Sequence, residues 1–110
     1  MRWLGNNKPK DIWEEQIVPP VGDIEAADLI RRICRTAVGA ESSRYQRAAK
    51  CAMEIAMKIK DDLMRDVAVG EIVDLCLGAN DVKKAQILFR AIQTDAIIEK
   101  VRNAHPALRG

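Results

Sequence analysis

The side chains able to do chemistry in this chain are few, and their spacing decides what they can do. There is one histidine, His105, next to Pro106 near the C-terminus. A Ser-His or Cys-His nucleophile pair would have to be built on it. The flanking sequence reads instead as a solvent-exposed loop. The three cysteines, Cys34, Cys51 and Cys76, are odd in number, widely spaced and set within helical patterns. That is a poor disulfide framework; it suits small buried hydrophobes in a reducing compartment. No Cys-x-x-Cys, His-x-x-x-His or glycine-rich phosphate loop occurs, so the expectation is no metal site and no cofactor. Paired carboxylates at Glu14-Glu15 and Asp61-Asp62 could hold magnesium or move protons. Adjacent residues on a helix point in different directions, however, and Asp61-Asp62 sits where a helix cap is needed. An enzyme is the least supported class.

Binding chemistry is better represented. Arg31 and Arg35 are one helical turn apart, and so are Arg44 and Arg47. Each pair shares a face, and an antiparallel pairing of the two helices would bring them together near Gly39, as a patch for phosphate or an acidic segment. The alternative is a solvated face. Met53 and Met57 could line an adaptable peptide groove, or fill core. Trp3 and Trp13 stand in polar, proline-limited sequence, where tryptophan acts as an interface anchor or folds back onto the domain. Lys83 and Lys84 begin a helix after a short turn, the position of base and phosphate contacts in a DNA-binding helix-turn-helix.

The elements that must position these residues are helical throughout. With 110 residues, 48% hydrophobic and 31% charged, the chain has the composition of one globular domain. Residues 1–22 read as an irregular arm, with three of the four prolines, both tryptophans, and room for one turn of helix at 11–16. Residues 23–110 read as the helical domain. Asp23 is expected to cap a first helix with Ala27, Ile30, Cys34 and Ala37 inward, stopped at Gly39. Ser43 with Gln46 reads as a capping box for a second helix reaching about Lys60, with Tyr45, Ala48, Ala52, Ile55 and Ile59 inward. Asp61-Asp62 opens a third, with Val69, Ile72, Val73 and Cys76 inward. After the turn Gly78-Ala79-Asn80, a fourth helix from Asp81 to about Gln93 turns Val82, Ala85, Phe89 and Ile92 inward. Thr94-Asp95 caps a fifth, ending near Ala104. No segment alternates with period two, so the fold class expected is all-α, about five helices in stacked antiparallel hairpins.

Sliding the chain by 33 residues lays "AMEIAMKIKDD" over "AQILFRAIQTD". Ala52 falls on Ala85, Ile59 on Ile92 and Asp62 on Asp95. With "NDVKKAQILF" as turn and second helix, the unit at residues 66–98 resembles a tetratricopeptide repeat. The resemblance puts Asn80 and Asp81 in the turn, Ala85 at the close-packing small site and Phe89 at the bulky site. It departs from the family at Val73, where a small residue is usual, at Cys76, where an aromatic is usual, and in lacking a closing proline. Helical hairpins of this kind work by binding other proteins, and an exposed end can self-associate. The expectation is therefore a cytoplasmic, non-enzymatic adaptor or chaperone with a protein partner, and a homodimer as a further option. Helix-turn-helix DNA binding is the alternative. A net charge of +2 and the apolar fourth helix weigh against nucleic acid. No apolar run is long enough for a membrane span.

Overall fold

The structure is a computed structural model and describes residues 22–109. The arm proposed for residues 1–22, with Trp3, Trp13 and Glu14-Glu15, lies outside the described residues except for Gly22. Five helices follow in order: α1 Asp23–Ala37, α2 Ser42–Ala56, α3 Asp62–Gly78, α4 Val82–Ala91 and α5 Asp95–Ala104. A short 3-10 turn, Pro106–Arg109, comes after them. Among the described residues there is no strand.

Short connections fold neighbouring helices into hairpins, α1 on α2 and α3 on α4, and α5 then returns to pack on α3. Gly39, at φ 75°, makes the left-handed turn after α1; Asn80, at φ 63°, makes the one after α3. Both residue types tolerate that region. α3 touches α1, α2, α4 and α5, which is why its sequence is apolar on nearly every face. Its Val69, Ile72, Val73 and Cys76 are buried, together with Ile30 and Ile33 from α1. α2 turns Ala48, Ala52 and Ala56 to the core with no exposed surface. Their small side chains let it lie close against both α1 and α3.

Several local expectations are corrected. Asp23 does not cap α1, whose N-cap is Gly22. Its carboxylate reaches across to accept the backbone N–H groups of Lys60 and Asp61, at 3.0 and 2.9 Å. Glu41, not Ser43 with Gln46, caps α2: its carboxylate accepts the Arg44 N–H, and the Ser43 hydroxyl donates to it. A carboxylate outcompetes a hydroxyl for a helix-end donor because it adds charge to the same bond. α2 stops at Ala56 and α4 at Ala91. In each, the isoleucine expected to end the stripe, Ile59 or Ile92, is buried from the connection that follows. Ala27 is only half-buried, and Ala26 and Ile33 take the inner face instead. Val82 is exposed and Phe89 half-buried, so Ala85 is the single buried residue of α4. Asp61 does cap α3, accepting the Met64 N–H at 2.8 Å, while Asp62 pairs with Arg65 at 3.0 Å.

Candidate functional site

α1, α3 and α5 run in the same direction. Arg31 meets Glu71 midway along α1 and α3, and the ends of both helices, at Ala37 and Gly78, line one cleft. Asp66 near the start of α3 meets Thr94 before α5, and Asp74 further along meets His105 after it. Three parallel helices side by side leave furrows between them, and here there are two. The first, of about 410 Å³, lies between the C-terminal halves of α1 and α3. Cys34, Ala37, Val38, Leu75 and Gly78 give it an apolar lining, with Arg35 on its rim. The second, of about 310 Å³, lies between α3 and α5 and is lined by Val67, Gly70, Ile97, Lys100 and Val101. Arg31, Glu71 and Asp74 border both. The furrows therefore form one groove with two lobes, divided by the Arg31–Glu71 pair at 3.7 Å. From Val67 to Gly78 it follows α3 for about 16 Å, at 1.5 Å per residue.

Gly70 shapes the second lobe. A Cβ there would lie 3.3 Å from the Val101 side chain, so glycine allows α5 to approach closely. The His105 ring contacts the Asp74 carboxylate at 2.5 Å. It is half-buried against α3, and not the solvent-exposed loop residue expected. Burial pushes the Glu71 carboxyl above the usual range, with Arg31 opposing the shift. Burial also raises all three thiols, Cys34 to about 12. A thiol so protonated is a packing group and a poor nucleophile. Among the described residues, no three His, Cys, Asp or Glu side chains come together so as to hold a metal ion.

Of the residues singled out in the sequence, Arg31 and Arg35 are on the groove and Arg44 and Arg47 are not. The latter two act on Glu41 at the start of α2, so the two pairs do not share one lining. Met53 packs against the core and Met57 is exposed; neither lines the groove. Lys84 is held by Asp81 at 3.9 Å and lies 5.6 Å over the Tyr45 ring. The Tyr45 hydroxyl donates to the same carboxylate at 2.9 Å. Burial raises the Tyr45 phenol, and its neighbours Cys76 and Asp81 add to the shift, so that donor stays protonated. Lys83 is exposed.

Glu71 and Asp74 were not singled out in the sequence, and Gly78, expected to open the turn, is the last residue of α3. A signal existed: "EIVDLCLG" sets two acids three residues apart in a helix otherwise apolar on that side. Such acids need a reason to be there.

Comparison with family models, with curated proteins and with solved structures gave no match in any of the three. Among the described residues, no helix is long and apolar enough to cross a membrane.

Proposed function

We propose that this chain is a non-enzymatic protein–protein interaction module, a small cytoplasmic adaptor or chaperone that holds a helix or extended segment of a partner along the α1/α3/α5 groove. The observation that carries this reading is the two-lobed groove itself. It has an apolar floor, charged walls, and a length suited to about three turns of helix. The tetratricopeptide-like reading gains support from position: Ala52 and Ala85 are both fully buried, and Asp62 and Asp95 both open helices. In this reading Arg31 and Arg35 orient the partner segment, and Val38, 73% exposed, contributes apolar contact at the first lobe.

Gly78 offers a direct test. A Cβ there meets nothing within 4 Å, and its φ is not positive, so the backbone accepts Gly78→Phe, whose ring is expected to occupy the first lobe. The expected result is a melting temperature unchanged within a few degrees, since glycine costs a helix interior about 0.5–1 kcal/mol relative to alanine and Gly78 stands at the helix end. A stoichiometric protein partner, recovered from cell extract after nuclease and at high salt, is lost with this variant. A partner that stays bound to Gly78→Phe overturns the groove. Nucleic acid recovered in its place, and released steeply by salt, moves the function to DNA binding.

A further inference from the structure

We infer that the outer face of α4 is a second docking surface, separate from the groove, and that it takes an acidic amphipathic helix of a partner protein. No α4 residue lines either lobe. α4 carries three cations and no acid. Lys83, Ile87 and Arg90 follow one another at steps of four and three, so they form one stripe about 10 Å long on the solvent side. All three are exposed, Ile87 by 57%. Lys84 is neutralised by Asp81, but neither Lys83 nor Arg90 has an ion-pair partner among the described residues.

Lys83 is also misplaced for the helix alone. It occupies the first turn of α4, where the helix dipole favours acids. Asp81 caps this helix start and pairs with Lys84, which leaves Lys83, among the described residues, an unpaired cation at the positive end of the dipole, free to meet a carboxylate from outside. Charge complementarity names the complement: two acids about seven residues apart, flanking an apolar side chain that meets Ile87. Phosphate backbone fits the stripe less well. A nucleic-acid strand would leave Ile87 against charged groups at the centre of the contact, and the chain's net charge is only +2.

The test selects a displayed library of helical peptides on the full-length chain, with counter-selection on Lys83→Glu/Arg90→Glu. The enriched peptides are expected to carry two acids one heptad apart around an apolar residue. They should bind the unaltered chain about tenfold or more tighter than the double variant, and should bind Gly78→Phe unchanged. Lys83→Glu alone should keep or raise the melting temperature while weakening the peptides, which separates recognition from folding. The inference is overturned if no peptide is enriched, if the enriched sequences lack acids, or if they bind the double variant equally. It is also overturned if Gly78→Phe loses them, since the groove is then their site. Duplex DNA binding that falls steeply with salt and vanishes in the double variant assigns the stripe to nucleic acid instead.

Discussion

Asp66→Ala is expected to lower the unfolding free energy by about 2–4 kcal/mol. Asp66 is 1% exposed on α3, and one of its carboxylate oxygens accepts three hydrogen bonds. These come from the Gln93 N–H at 3.1 Å, the Thr94 N–H at 2.8 Å and the Thr94 hydroxyl at 2.6 Å. The arrangement ties the α4–α5 connection to the central helix and satisfies donors at the start of α5, where Thr94 itself provides no side-chain cap. Alanine removes the acceptor and leaves the donors behind, and the orphaned donors cost more than the bonds are worth on balance. Urea unfolding by circular dichroism measures the loss. A change below about 1 kcal/mol means that water or another group takes over these donors.

The same carboxylate gives the fold an acid limit. Burial alone would push the Asp66 carboxyl up, but the bonds from Thr94 and Gln93 outweigh it and hold the group below its ordinary range. Asp23 is lowered as well, chiefly by the N–H groups of Lys60 and Asp61. An acid whose folded value lies below its unfolded one stabilises the fold fully above the unfolded value, about 3.9 for aspartate. That stabilisation disappears as pH falls through the folded value. Unfolding free energy should therefore be flat near neutrality and drop below about pH 4. Asp66→Asn should be less stable at neutral pH and show a shallower acid limb. An acid limb identical to that of the unaltered chain would place the linkage on other carboxylates.

Asp23 and Asp66 also show what the sequence could and could not reveal. Lys60 and Asp61, which Asp23 holds, fall 33 residues before Gln93 and Thr94, which Asp66 holds. The two clamps are thus equivalent: an acid early in the first helix of each hairpin fastens the connection that leads to the next unit. The period was readable because the alanines, the isoleucines and the acids that open α3 and α5 recur with it. The clamps were not, because Asp23 and Asp66 are 43 residues apart; α2 is five residues longer than α4, and Asp66 lies one turn inside α3 where Asp23 opens α1, so the two acids fall out of register. Asp23, in addition, has the local appearance of an N-cap. An aspartate at a helix start is ordinarily satisfied by its own helix, and only the tertiary fold brings competing donors to it. The groove was hidden for a related reason. Arg31 and Arg35 were visible as one face, but their partners on α3 are 36 or more residues away. Helical periodicity indicates which faces are apolar, and leaves open which helices lie beside each other.

Ala85→Leu is expected to cost about 1–3 kcal/mol, through crowding. Ala85 has no exposed surface and is the buried residue of α4, and α4 packs chiefly on α3. A larger side chain at that crossing must either leave its preferred rotamer or lift the helix. The half-buried Leu88 and Phe89 contacts against the core would loosen with it. The expected signature is a lower urea midpoint with an unchanged slope, because the same surface is still exposed on unfolding. Ala85→Gly should also destabilise, by about 1 kcal/mol, since it leaves the crossing open but weakens the helix. Ala52, 33 residues earlier and likewise fully buried in α2, should respond to leucine in the same way. An unchanged midpoint for Ala85→Leu would mean that α4 does not meet α3 at this residue. The variant also bears on the two surfaces: it strains the helix that carries Lys83, Ile87 and Arg90 and substitutes no groove residue. A groove partner should survive it, and recognition of acidic helices should weaken.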